Sequence, residues 1–144
     1  MGMRIVIADL DGTLSDYGHR KHLYKERDYD AFNKAGKNDK PIENICNILR
    51  ALDREETEII IMTARSDDNR MDTQEWIKLN DVPCDRLIMR PFDDNTSDDE
   101  CKRKLFNEEI NYSDVWFVLE DRKSVVDMWR GEGLTCLQVA PGDF

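Results

Sequence analysis

No apolar run in this 144-residue chain approaches the ~20 residues that a membrane-spanning helix needs. Histidine is scarce, at two residues, and Cys46, Cys84, Cys101 and Cys136 are scattered without a CxxC pair or a Cys/His cluster. That pattern disfavours a zinc site and predicts reduced, mostly buried thiols. The motif GxxxxGK[ST] occurs nowhere, which removes the P-loop route for taking a phosphoryl group from ATP. The opening residues, Met1-Gly2-Met3-Arg4, lack a signal-peptide pattern, so a cytoplasmic location with no membrane partner is expected. Positive charge is also in deficit. Lys and Arg number 21 against 31 Asp and Glu, a net charge of −10. This argues against gripping long nucleic acid through counterion release. A substrate with a few phosphates stays compatible, because local cations and a bound metal would hold it. No repeat, low-complexity tract or linker interrupts the chain, and one domain over residues 1–144 is expected.

What the chain does hold begins at Arg4. The apolar run Ile5-Val6-Ile7-Ala8 delivers Asp9 and Asp11 into a turn at Gly12, and a short apolar run ended by Gly reads as a buried strand. Residues two apart on a strand share a face, so Asp9 and Asp11 are expected side by side at its end. Like charges that close are unfavourable unless a proton or cation sits between them. Gly12 would expose backbone N–H groups in a concavity suited to an anion.

Further along, residues 15–29 are polar, with His19, Arg20, Lys21, His22, Lys25 and Arg27 close together and no clean helical stripe. They are expected to form a surface flap, followed by a short helix near 30–35. Pro41 suits the first turn of a helix carrying Ile42, Ile45, Ile48, Leu49 and Leu52. Strands are expected at 57–62, 87–89, 115–119 and 134–139. Between them lie helices at about 68–80 (with Met71, Trp76, Ile77 and Leu79 as apolar positions), through 102–110, and at about 123–130. Trp76, Trp116 and Trp129 read as packing residues.

Strands alternating with helices predict an α/β fold, a doubly wound parallel sheet with helices on both faces. Ligands sit at the carboxyl ends of strands in such sheets. Asp9/Asp11, Thr63/Arg65 and Glu120/Asp121 all fall at expected strand ends and should converge on one crevice. Asp9, Glu120 and Asp121 offer the oxygen ligands that magnesium prefers. Asp9, at the centre, is the candidate nucleophile for an aspartyl-phosphate. Asp11 is the candidate acid and base. Thr63 offers a hydroxyl, and Lys102 or Lys104 a cation for the transferring phosphoryl group.

Asp9-Leu10-Asp11-Gly12-Thr13-Leu14 resembles the first motif of the haloacid dehalogenase (HAD) superfamily of phosphotransferases. Thr63, a downstream lysine and the acidic pair follow in that superfamily's order. Thr63-Ala64-Arg65, Leu87-Ile88-Met89-Arg90, Lys102, Glu120-Asp121-Arg122 and the tail from Val125 narrow the likeness to the 3′-phosphatase domain of phage-type polynucleotide kinase. The resemblance runs nearly end to end and is weakest in the flap. It implies a Rossmann-like fold without a large cap, magnesium, and hydrolysis of 3′-phosphate ends. By position, Asp9 would be nucleophile and Asp11 acid/base, with Asp11 meeting the metal through its backbone carbonyl. Thr63 and Lys102 would hold the phosphate, and Arg20 and Arg65 would contact phosphate or substrate. Lys102 is preferred over Lys104 because it precedes Phe106 by four residues, as the family's lysine precedes its aromatic. Glu120 departs from the family's usual Asp-Asp pair; its longer side chain can move the metal while keeping the charge.

The substrate expected is a phosphorylated nucleic-acid end, with a free nucleotide or other small ester as the alternative. Without a kinase motif in this chain, a separate kinase or ligase partner is expected. A receiver-like phospho-switch domain also combines such a sheet with carboxylates, Thr and Lys around magnesium. The second carboxylate of Asp-x-Asp argues instead for turnover.

Overall fold

Ile5, Val6, Ile7 and Ala8 have almost no solvent exposure and form most of β1 (Arg4–Ala8). Side chains alternate across a strand. Ile5 and Ile7 accordingly enter one apolar cluster, while Val6 and Ala8 enter another. A strand buried on both faces requires helices on each side. The computed structural model, which describes residues 2–144, has that layering.

After β1 come β2 (Ser15–Asp16), α1 (Lys21–Lys25), α2 (Tyr29–Lys34), β3 (Lys40–Pro41), α3 (Glu43–Leu52) and β4 (Thr57–Ser66). They are followed by α4 (Arg70–Leu79), β5 (Arg86–Arg90), α5 (Asp98–Glu109), β6 (Val115–Glu120), α6 (Lys123–Gly131) and β7 (Cys136–Gln138). Five strands make one parallel sheet in the order β5-β4-β1-β6-β7. Cys101 and Phe106 of α5 and Trp129 of α6 pack with Ile7 and Met62 on one face. On the other, Leu49 of α3 and Trp76 of α4 pack with Val6 and Ile61. The doubly wound α/β sheet read from the sequence is therefore present. Between β1 and α3 lie only the antiparallel β2/β3 ribbon, two short α-helices and two 3-10 turns, not a cap domain. The winding reverses between β1 and β6, and the crevice outside the strands' carboxyl ends opens there. No helix among the described residues is long and apolar enough to cross a membrane.

Local expectations needed correction in several places. Pro41 does not open a helix. It pairs with Ser15 in the ribbon, the Ile42 N–H donates to Leu14 O at 2.8 Å, and α3 begins at Glu43. Residues 15–29, expected as a surface flap without a clean helical stripe, carry β2, a 3-10 turn at 18–20 and α1. Ile48, Met71 and Leu79, placed on buried stripes by periodicity, are exposed, as is Trp116, whose ring lies 4.6 Å from the Arg4 guanidinium. A helix only ten residues long, packed on one side, leaves the margins of its apolar stripe in water.

Candidate active site

Asp9 is the first residue past β1, held by its N–H donating to Leu119 O of β6 at 2.9 Å. Its two carboxylate oxygens are both engaged. Oδ1 accepts from Lys102 Nζ at 2.7 Å, and Oδ2 accepts from Thr13 Oγ1 at 3.0 Å. The turn that returns Thr13 to Asp9 passes through Gly12 at φ +83°. A Cβ on Gly12 would lie 2.1 Å from Asp121 Oδ2, so the position requires glycine for space as well as for conformation.

Glu120 ends β6 and turns inward. Its Oε1 accepts from Lys102 Nζ at 2.8 Å, and its Oε2 accepts from the Asp121 N–H at 3.1 Å. Asp9, Glu120 and Asp121 are buried, and one oxygen from each lies within 4.8 Å of the others. Burial, then the Asp9 charge, pushes the Asp121 carboxyl up to about 7, and the same two causes raise Glu120 well above the usual carboxylate range. Burial alone would lower Lys102, but Asp9 and then Glu120 reverse that and hold the ammonium charged. A single lysine thus sits among three crowded carboxylates. Hard oxygen donors at this spacing, under mutual repulsion, fit a divalent cation such as magnesium.

Asp11 lines the same crevice as Asp9, but its carboxylate is not one of the three clustered acids and meets two guanidiniums instead, with Arg20 Nη2 at 2.5 Å and Arg65 Nη2 at 2.6 Å. Burial would raise this carboxyl, yet Arg65 and then Arg20 outweigh it and hold it well below the usual range. Arg20 was expected against the substrate. It is wholly buried instead, outside the crevice lining, with two contacts to Asp39 at 2.7 and 2.8 Å and its guanidinium 4.1 Å from the Phe32 ring centre. Arg20 thus grips Asp11 from behind. Asp39 is the residue the sequence reading missed. It binds both arginines, with Arg65 Nη2 at 3.3 Å, yet an Asp in a Lys-Pro turn carries no local signal of that role.

Thr63 and Arg65 lie near the end of β4, where the Arg65 N–H donates to Thr63 Oγ1 at 3.1 Å. Asp9, Thr63, Arg65, Lys102, Glu120 and Asp121 line one crevice of about 730 Å³. Asp98, in the first turn of α5, bridges Arg90 at 2.8 Å and Arg122 at 2.5 Å, tying the ends of β5 and β6 to the helix that carries Lys102.

Charged groups at the tips of β1, β4 and β6 in a sheet of this order define a phosphatase of the haloacid dehalogenase type. A haloacid dehalogenase-like hydrolase from Streptococcus pneumoniae shares the fold with a TM-score of 0.63 at 14% identity, over 93% of this chain and 83% of that one. The family is narrower than the fold: residues 3–144 match the model of the polynucleotide kinase PNKP phosphatase domain, and the chain belongs to that family. A curated relative from Autographa californica nuclear polyhedrosis virus, named as a bifunctional polynucleotide kinase/RNA ligase, is 33% identical over 129 residues. That match covers 88% of this chain and 18% of the relative. A chain of a Pnkp1/Rnl/Hen1 complex superposes with a TM-score of 0.85 at 34% identity, over 99% of this chain and 48% of its own length. In a structure of the Pnkp1/Rnl/Hen1 RNA repair complex the values are 0.86 and 33%, with 99% and 44% covered. The chain thus spans less than half the length of these relatives.

Proposed function

We propose that this chain is a magnesium-dependent phosphomonoesterase that removes 3′-phosphates from polynucleotide ends through an aspartyl-phosphate on Asp9. The observation carrying this reading is Asp9 itself. It lies on the crevice, fixed by Lys102 on one oxygen and Thr13 on the other, beside the acidic pair. Magnesium held by Asp9, Glu120 and Asp121, and by the Asp11 carbonyl if the family's arrangement applies, would supply charge neutralisation for the phosphate.

The chain's own residues account for the rest. An Asp9 oxygen attacks phosphorus while the sugar oxygen leaves with a proton from Asp11. A water then attacks the phosphoryl group on Asp9 with Asp11 taking its proton, which releases inorganic phosphate, restores the Asp9 carboxylate and returns Asp11 to its acid form. The two arginines keep Asp11 ionised in the free protein. An arriving phosphate dianion brings like charge beside Asp11 and competes for Arg65, which raises its proton affinity toward that of an acid. Lys102 and Thr63 face the charge that develops on the phosphoryl oxygens.

A kinase or ligase activity, in another part of a longer protein or in a separate partner, fits the names of the relatives that this chain covers only in part. The deciding experiment is a panel of a 3′-phosphorylated oligonucleotide, a nucleoside 3′-monophosphate and p-nitrophenyl phosphate, each with and without magnesium. Release of phosphate from the oligonucleotide only with magnesium, and its loss to background in Asp9→Asn, is the expected result. An Asp9→Asn variant with full activity would reject the assignment.

A further inference from the structure

Arg27 has φ +61°, in the left-handed region, at the turn that ends α1. The Arg27 N–H donates to Tyr24 O at 3.0 Å and the Asp28 N–H to Leu23 O at 2.9 Å, closing the helix in the manner that normally selects glycine. An arginine there is strained by its Cβ. Nothing inside the protein compensates, for its guanidinium makes no hydrogen bond or ion pair among the described residues, yet it lines the crevice. Lys21 and Lys25, on the same segment, also line the crevice and are also unpaired among the described residues. The deeper cations differ: Arg65, Arg90, Lys102 and Arg122 each hold an acid. In a chain of net charge −10, unpaired cations gathered on one wall of one crevice point to an anion from outside. On the same lining Phe92 is 75% exposed and Tyr29 51% exposed, ring surfaces on which a base can stack.

A terminal phosphate would be met by Lys102, Thr63 and the acidic cluster, so the outer cations need a second phosphate. Resting on the proposed 3′-phosphatase reading, we propose that Arg27, supported by Lys25, binds the first internal phosphodiester and makes the crevice select polynucleotide ends over mononucleotides.

The test compares kcat/KM on a 3′-phosphorylated oligonucleotide with that on a nucleoside 3′-monophosphate. In Arg27→Gly the ratio of the two falls about tenfold, the loss of one charge-assisted contact. Gly suits the backbone, so the Tm of this variant is unchanged or higher. Arg27→Lys keeps the charge and most of the ratio. A neutral methylphosphonate at the first internal linkage lowers the wild-type ratio by a similar factor and lowers the Arg27→Gly ratio no further. An unchanged ratio in Arg27→Gly, or a methylphosphonate that costs nothing, overturns the proposal even when the oligonucleotide is a good substrate. Failure of the wild type on every 3′-phosphate would instead remove the underlying function, and this inference with it.

Discussion

Asp11 has its acidity set by its neighbours. Burial opposes its charge, and Arg65 and Arg20 more than offset that opposition. A carboxyl whose folded pKa is depressed stabilises the fold above its unfolded value of about 3.9, and the contribution disappears as pH falls toward the folded value. Replacing Asp11 with Asn keeps the shape and removes the charge. In metal-free buffer, wild type should therefore exceed Asp11→Asn in Tm near about pH 6, with the gap closing as the pH falls below about 4. Thermal scans across that range check this, and a gap that persists or widens in acid would contradict it. Of the residues singled out in the sequence, Asp9, Thr63, Glu120 and Asp121 were legible because strand ends are legible, whereas Lys102, on α5, was picked out by its spacing to Phe106. Asp39 and the true position of Arg20 were not. Both depend on the ribbon bringing residues 20 and 39 together, a pairing that no local spacing encodes.

At the scale of elements, every strand of the parallel sheet could be read from apolar runs, most clearly β1 and β4, since a strand covered on both faces has little freedom in composition. Helix margins were less legible. Periodicity assigns Met71 and Leu79 to the buried side of α4, but whether a neighbour covers them is decided by packing. Pro41 shows the same limit, since it is admissible both in a first helical turn and in a short edge strand. The helix α6 has a direct bearing on the site. It starts immediately after Glu120-Asp121-Arg122, and its Trp129, 1% exposed, packs edge-on against Phe106 of α5 with ring centres 5.3 Å apart. That contact joins the helix following the acidic pair to the helix bearing Lys102. Trp129→Ala removes it and leaves a cavity, for a loss of about 3–5 kcal/mol. Urea unfolding extrapolated to water should show an unfolding free energy lower by that amount, and a loss below about 1 kcal/mol would mean that the two helices are held by other contacts.

For the molecule as a whole, acidity and the proposed metal binding are one electrostatic problem. Net charge of −10 repels itself, and three of the carboxylates are crowded at the bottom of the crevice. Monovalent salt screens the general repulsion and should raise Tm in wild type and variants alike. The cluster behaves differently because it is buried and weakly screened. Burial and Asp9 raise the Asp121 carboxyl to about 7, so keeping it ionised destabilises the fold, increasingly as pH rises from the unfolded value. Asp121→Asn removes that repulsion with little change in volume beside Gly12. In chelator at about pH 8 the variant should be more stable than wild type. With magnesium at about a hundred times its Kd, wild type gains about 2.7 kcal/mol. Asp121→Asn, short of a ligand, gains far less, so magnesium removes most of that amount from the variant's advantage. Calorimetry of both proteins, with chelator and with magnesium at constant ionic strength, checks the narrowing. If magnesium leaves the difference between the two unchanged, the acidic cluster is not where the cation binds.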